Sequence, residues 1–446
     1  MKITKKILIV LILISTLLGG FIYIKPVQAA NSNITKLPKA SEADFEIASE
    51  GAILMEASTG KVLYGKNINE QLYPASTTKI ITAILAIEHC KPTDKITASY
   101  DAVMSIPSGY SNAAIQPGET LEFQDLLDMF LIHSANEIGN IFAEHVSGSI
   151  SEFAKLMNKK ATEIGCKNTN FTNPSGIHDE NHYSTPYDMA LIARYCMKNA
   201  SFRNTVSKTS CSVEPTDKYE KRYFKNTNDL LNSKSKYYYK YAIGTKTGYT
   251  SQAKRCLIAT SLKDNLELIT VTLGAQSSLL DTRYQDTINL FDYGYKNFKV
   301  ANIATKNSVI EKITVENATK DTADLSLLLK NDITGLVPAN SNLINLDYTV
   351  KLNDVINAPI QEGSVLGKVT YKIGDFEYSA DLTAAHSVEE FDLIKIFWQI
   401  ALAILVLFIL SKLFLPKKKS KKNSKKRKNC KKKKYNSNTN SIYKFN

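Results

Sequence analysis

Three short segments of this chain carry side chains suited to acyl transfer. The first is Tyr73-Pro74-Ala75-Ser76-Thr77-Thr78-Lys79-Ile80-Ile81-Thr82-Ala83. Ser76 and Lys79, three residues apart, share one face if the segment opens a helix. A lysine that is partly desolvated and close to another cation loses proton affinity, and its amine can then take the proton of a hydroxyl. The free N–H groups of a helix N-terminus would point where an oxyanion could form. The bare pattern is cheap, for Ser-x-x-Lys recurs at Ser58/Lys61, Ser233/Lys236, Ser251/Lys254 and Ser441/Lys444. A cap or a solvated pair explains any of those. The Ser76 pair differs in having a proline just before it and a long amphipathic run after it.

The second segment, Ile132-His133-Ser134-Ala135-Asn136-Glu137, joins two helical patterns and holds a Ser-x-Asn. A hydroxyl at Ser134 could relay a proton, and the Asn136 amide could donate and accept toward a peptide. The plainer alternative is an N-cap for the helix that starts at Glu137. The third is Gly244-Thr245-Lys246-Thr247-Gly248-Tyr249. Lys246 and Thr247 on an exposed strand edge suit a carboxylate, and Gly248 lets ligand and backbone approach closely.

The elements that must bring these segments together are readable from periodicity. Strand-like runs lie at 52–55, 257–261 and 266–273, and helical spacing covers 77–90, 121–132, 137–146 and 150–164. Strands at both ends with helices between them predict an α+β domain over 45–298. Beyond 301 the chain turns to short alternating runs at 309–316, 324–329, 346–352 and 367–383, with a hairpin turn at Lys372-Ile373-Gly374-Asp375-Phe376. A small all-β domain is expected over 301–385.

Both ends of the chain read as membrane signals. Residues 1–29 have basic Lys2, Lys5 and Lys6, an apolar run, and Val27-Gln28-Ala29 as a small-residue cleavage site, the layout of a secretory signal peptide. An apolar stretch over 396–415 is long enough, at about 1.5 Å per residue, to cross the hydrocarbon layer as a transmembrane helix. Thirteen Lys/Arg follow between Lys417 and Lys434, which places the polybasic tail 416–446 in the cytoplasm and the preceding domains outside the cell membrane. The formal net charge of +13 comes from these ends. Without the fourteen basic residues after Pro416 and the lysines at 2, 5, 6 and 25, the remaining 30–416 carries −5. A nucleic-acid partner is excluded by that distribution. The 43% hydrophobic content excludes wholesale disorder. Five cysteines precede the apolar stretch at irregular spacing with no CxxC, so no disulfide scaffold or zinc ribbon is expected.

The order Ser-x-x-Lys, then Ser-x-Asn after 58 residues, then Lys-Thr-Gly after another 112, is that of penicillin-binding proteins and class A β-lactamases. Together with Asn173-Pro174-Ser175-Gly176, His182-Tyr183-Ser184-Thr185 and Asn226-Thr227-Asn228-Asp229-Leu230-Leu231, these segments resemble the low-molecular-weight D-alanyl-D-alanine carboxypeptidases, serine peptidase family S11. The resemblance runs over about 45–295 and, more loosely, into the β segment. It departs at Lys254, where the family usually has Gly, and at Ala135, often Gly in the family.

The resemblance implies a β-lactamase/transpeptidase-like catalytic domain and an acyl-enzyme on Ser76. Lys79 would be the general base, Ser134 would protonate the leaving amine, and Asn136 would bind the substrate backbone. Lys246 and Thr247 would hold the terminal carboxylate, with the N–H groups of Ser76 and Tyr249 as oxyanion hole beside Gly248. Arg283 would help shape the carboxylate pocket or serve in a structural salt bridge. The substrate would be a peptidoglycan muropeptide, β-lactam antibiotics would be acylating inhibitors, and no cofactor is implied.

Three other readings compete with this one. A zinc site at His178-Asp179-Glu180-Asn181-His182 is disfavoured because these residues follow a turn-rich loop that does not present both histidines from a helix. A β-lactamase would need a second base for fast deacylation, and this chain shows no Glu-x-x-x-Asn feature between Ser134 and Lys246. A non-catalytic peptidoglycan binder would not need all three motifs intact.

Overall fold

The computed structural model describes residues 45–276 and 280–414. The signal peptide expected at 1–29, the tail at 416–446 and the last residue of the apolar stretch lie outside them.

The chain opens with β1 (Gly51–Glu56) and β2 (Val62–Lys66), an antiparallel hairpin. A 3₁₀ turn over Ala75–Thr78 leads into α1 (Lys79–His89). β3 (Lys95–Thr97), α2 (Tyr100–Met104) and β4 (Thr120–Glu122) form a small excursion. α3 (Phe123–Asp128) runs into a π turn at Met129–His133, followed by α4 (Glu137–Ser147), α5 (Ile150–Ile164), α6 (Pro186–Met197) and α7 (Ala200–Ser207). The hairpin β5 (Ser210–Val213) and β6 (Arg222–Lys225) precedes three long strands, β7 (Ala242–Thr250), β8 (Lys254–Lys263) and β9 (Leu266–Ala275), and then α8 (Thr282–Asn297). Here the run expected as one helix at 121–132 divides, its end widening into the π turn before Ser134.

The strands close a five-stranded antiparallel sheet in the order β2-β1-β9-β8-β7. Successive side chains leave a strand on opposite faces, and here both faces are covered. Ile53 and Met55 of β1 join the cluster that holds α1 and the helices around it, whereas Ala52 and Leu54 join the cluster under α8. A sheet buried on both sides explains why β1, β8 and β9 read as near-continuous apolar runs rather than strict alternation. α1 is apolar all round its surface, with residues 79–86 all buried, so it forms the interior of the helical layer. Lys79 is taken into the core with it.

Beyond α8 the structure is all β. β10 (Phe298–Ala304) starts just inside the range expected for the catalytic domain and pairs β13 (Ile333–Pro338). β11 (Val309–Thr314), β12 (Asp324–Leu329), β14 (Tyr348–Leu352), β15 (Val365–Ile373) and β16 (Phe376–Ala384) form a second sheet in the order β11-β12-β16-β15-β14. The β15–β16 turn falls at Gly374-Asp375, and it touches the first domain: Lys61 Nζ donates to the Asp375 carbonyl at 2.8 Å and lies 3.6 Å from the Phe376 ring centre. α9 (Leu393–Phe414) follows, an exposed helix whose residues Leu393–Leu413 are long and apolar enough to cross a membrane.

Candidate active site

Ser76 stands in the 3₁₀ turn, one residue after Ala75, whose φ of +48° lies in the left-handed region. A non-glycine residue held there costs on the order of 1–3 kcal/mol and persists where its surroundings over-determine it. Those surroundings are specific. The chain at Gly176 passes so close that a Cβ there would lie 1.8 Å from the Ala75 carbonyl oxygen. Gly248 of β7 abuts the other side, its would-be Cβ 3.0 Å from the Ser76 nitrogen. The nucleophile candidate is thus clamped between a loop and a strand edge.

Lys79 is completely buried, with its Nζ ringed by oxygen atoms. Nζ lies 2.9 Å from Ser76 Oγ, 2.7 Å from Asn136 Oδ1 and 2.8 Å from the Ser175 carbonyl oxygen. Burial pushes its pKa well below the ordinary lysine value, Lys246 pushes it the same way, and Glu137 partly opposes them. A neutral amine has two N–H donors and one lone pair. Asn136 and Ser175 can take the donors, which leaves the lone pair for the Ser76 hydroxyl proton.

Asn136 precedes α4 without capping it by its side chain. The N-cap reading of this motif is corrected here: Asn136 turns Oδ1 to Lys79, and both its Nδ2 (2.7 Å) and its backbone N–H (2.9 Å) donate to the Ser111 carbonyl. Ser134 is buried at the end of the π turn with φ +69° and ψ +29°. This left-handed residue lets the chain leave the turn and re-enter a helix within three residues.

Lys246 and Thr247 are buried at the edge of the large sheet, and Tyr249 is 60% exposed. Lys246 Nζ donates to the Thr247 carbonyl at 2.9 Å, and Thr247 Oγ1 shares a 2.6 Å hydrogen bond with Thr227 Oγ1. Burial, and then the nearby Arg283 guanidinium, pull the Lys246 pKa down to about 7. At neutral pH such a group is poised to charge when an anion arrives.

The structure therefore brings Ser76, Lys79 and Asn136 into one hydrogen-bonded cluster and sets Gly248 of the Lys246–Tyr249 strand directly against it. Several contributors are not evident from sequence reasoning. The Ser175 carbonyl is aimed at Lys79 by an Asx turn in which Asn173 Oδ1 accepts from the N–H groups of Ser175, Gly176 and Ile177 at 3.2, 2.8 and 3.1 Å. The turn-forming Asn-Pro-Ser-Gly was a legible signal, but its target was not. Thr227 lay in a segment that carried the family resemblance, though its contact with Thr247 was not legible, and Ser111 carried no signal.

Of the two histidines in the zinc alternative, His182 has both ring nitrogens occupied by protein groups. His182 Nε2 lies 2.8 Å from Thr78 Oγ1, and its Nδ1 accepts the Thr172 N–H at 3.1 Å. Burial lowers its pKa to about 4. His178 meets the Tyr73 ring edge-on at 4.8 Å.

Comparison with known proteins identifies the family. The family model for D-alanyl-D-alanine carboxypeptidase matches residues 37–277, and that for the C-terminal domain of penicillin-binding protein 5 matches 298–390. The chain is 34% identical over 366 residues to the D-alanyl-D-alanine carboxypeptidase DacF of Bacillus subtilis, covering 81% of this chain and 90% of that protein. It is 28% identical to DacA of Haemophilus influenzae, over 79% of this chain and 88% of that one. Among solved structures, penicillin-binding protein 5 of Haemophilus influenzae superposes with a TM-score of 0.62 at 26% identity, covering 77% of this chain and 98% of that one. A Streptomyces DD-transpeptidase superposes with a TM-score of 0.52 at 28% identity, covering 56% and 98%. With the site assembled and a family match over more than half its length, the chain belongs to the D-alanyl-D-alanine carboxypeptidase family of serine peptidases.

Proposed function

We propose that this enzyme removes the terminal D-alanine from peptidoglycan stem peptides through an ester on Ser76. The observation that carries the reading is the buried Lys79 amine at 2.9 Å from the Ser76 hydroxyl, fixed by Asn136 and Ser175. Lys79 takes the hydroxyl proton as Ser76 Oγ attacks the carbonyl between the two D-alanines. The oxyanion that forms faces the N–H groups of Ser76 and Tyr249, on either side of the narrow gap at Gly248. The C–N bond breaks, Ser134 passes a proton to the departing amine, and D-alanine leaves. Ser134 regains its proton from Lys79, which is then neutral again; water attacks the ester as Lys79 takes its proton, and that proton returns to Ser76 Oγ as the shortened peptide is released. Asn136 holds the substrate backbone, and Lys246 with Thr247 holds the terminal carboxylate. A β-lactam, whose carboxylate and strained amide mimic that terminus, is an acylating inhibitor at the same serine.

The catalytic domain works at the outer face of a bacterial membrane, with α9 as a single-pass anchor, the β domain as a spacer from the lipid, and the polybasic tail in the cytoplasm. The apolar Leu393–Leu413 helix supports the anchor, and the basic run after it supports the orientation.

The test is to incubate the protein with a fluorescent penicillin and, separately, with a peptide ending in D-Ala-D-Ala. Stable labelling and D-alanine release, both lost in Ser76→Ala, are expected. Labelling that persists in Ser76→Ala, or label that turns over as fast as it forms, would overturn the reading.

A further inference from the structure

The first turn of α8 grips the catalytic strand from behind, and a single carboxylate ties that turn together. Asp281 stands at the N-terminus of α8 with Oδ2 3.0 Å from Arg283 Nη2 and 3.1 Å from Arg255 Nη1. Its backbone N–H donates to Tyr237 Oη at 2.9 Å, and the Tyr237 ring stacks on Tyr284 at 4.9 Å. Arg283 Nη1 faces the carbonyls of Gly248 at 3.4 Å and Cys256 at 3.5 Å, two residues paired across β7 and β8. Tyr284 Oη donates to the Thr227 carbonyl at 3.1 Å, and Thr227 is the partner of Thr247. One helical turn thus reaches the backbone of Gly248 directly and the hydroxyl of Thr247 through one intermediary.

The charges around Lys246 make that arrangement consequential. Arg283 faces it from α8, Lys79 from α1 and His133 from the π turn, and the charge of Lys246 disfavours protonation of both Lys79 and His133. Arg255 stands behind on β8. Two acids offset this concentration of positive charge: Glu137 of α4 acts on Lys79, and Asp281 pairs with both arginines. Asp281 is the acid on the side where a substrate carboxylate would have to be held.

We propose that Asp281 is a positioning residue for the carboxylate end of the site: it holds the Arg283 guanidinium against Gly248 and offsets its charge, keeping Lys246 able to grip a substrate carboxylate. The inference rests on the reading of Lys246 as carboxylate anchor. Asp281→Asn keeps the shape and an acceptor for Arg283 but removes the negative charge. Arg283 then stands uncompensated beside Lys246, and the protonated fraction of Lys246 above neutrality falls about tenfold for each pH unit its titration moves down.

The test follows D-alanine release from a D-Ala-D-Ala peptide, and acylation by a fluorescent penicillin, between about pH 5.5 and 9 with the full-length protein in detergent. For Asp281→Asn the alkaline limb of kcat/KM is expected to move down by about one pH unit. The loss at about pH 8 should be about tenfold and carried by KM, shrinking to about twofold at about pH 6, with rescue by Asp281→Glu. Arg255→Gln, which frees Asp281 to serve Arg283 alone, should move the limb upward and keeps the idea testable if the Asn variant does not fold. A limb moved by neither variant, or a loss of equal size at every pH, overturns the proposal. Lys246→Ala separates the two layers: if it acylates and releases D-alanine like the parent, it is the carboxylate-anchor reading that fails, and if it is impaired at every pH while the Asp281 and Arg255 variants behave as the parent, only the role of Asp281 fails.

Discussion

Replacing Gly248 by alanine tests the gap on which the proposed oxyanion site depends. The added methyl would lie 3.0 Å from the Ser76 nitrogen, 3.1 Å from Ala75 Cβ and 3.1 Å from the Pro74 carbonyl oxygen. None of these atoms is the tip of a side chain that could swing away. Gly248 is not among the residues with a left-handed φ, so alanine meets no backbone strain there, and the perturbation falls on the gap. Strand and nucleophile turn must separate by a few tenths of an ångström. Overpacking of this kind costs about 1–3 kcal/mol of stability, which leaves a folded protein melting a few degrees lower. The chemistry is less tolerant, since loss of one oxyanion donor costs about 10²–10³ in rate, or about 2.7–4 kcal/mol. The second-order rate constant for acylation by a fluorescent penicillin, measured from labelling time courses at several concentrations, should therefore fall about a hundredfold while a cooperative melt persists. A rate constant within threefold of the parent, in a protein that melts normally, would refute the assignment of the Ser76–Gly248 gap to the oxyanion.

Three further outcomes follow from named contacts. Gly176→Ala combines a φ of +76° with a methyl 1.8 Å from the Ala75 carbonyl oxygen, so a loss of more than about 3 kcal/mol is expected, seen as a collapse in Tm or in soluble yield. His182, held neutral by burial with a pKa of about 4, charges far more readily in the unfolded chain; stability should be full above about pH 6.5 and fall by about 3 kcal/mol toward pH 4, a slope that denaturant titrations should find missing in His182→Gln. Lys254 is a lysine with φ +56° that pairs with Glu50; Lys254→Gly and Lys254→Ala lose that ion pair equally, so the glycine variant should be the more stable by about 1 kcal/mol, the cost of the left-handed backbone.

The parts of the site that could be read in the sequence are those set by local geometry. Ser76 and Lys79 are one helical turn apart, and Lys246, Thr247 and Gly248 are neighbours on one strand, so spacing alone relates each set. The separation of strand runs by helical ones gave the α+β class, because a sheet buried on both faces leaves long apolar strands. What stayed hidden depends on contacts between distant residues. Ser111, Ser175 and Thr227 act through backbone carbonyls or a hydroxyl that any sequence could supply, and Asp281 matters because α8 folds back onto β7. The Asn136 side chain had two plausible fates, capping or catalysis, and the choice was made by the Ser111 carbonyl and Lys79, which come from elsewhere in the chain. Lys254, noted as a departure from the family's glycine, has its explanation in a φ that no spacing rule reveals.

The same burial that stabilises the helical layer supplies the base. α1 carries Ile80, Ile81, Ala83, Ile84, Leu85 and Ala86 on all sides, and its position in the core satisfies them. Lys79, as its first residue, enters the core without a carboxylate in hydrogen-bonding contact, and desolvation is the largest reason its amine gives up a proton. An acid pressed directly on Nζ would restore the charge and remove the base, and Glu137 is instead engaged with the Ala113 N–H at 2.6 Å. The contacts on Nζ are correspondingly neutral: a hydroxyl, an amide oxygen and a peptide carbonyl. They orient the amine without charging it, which is what a general base at neutral pH requires.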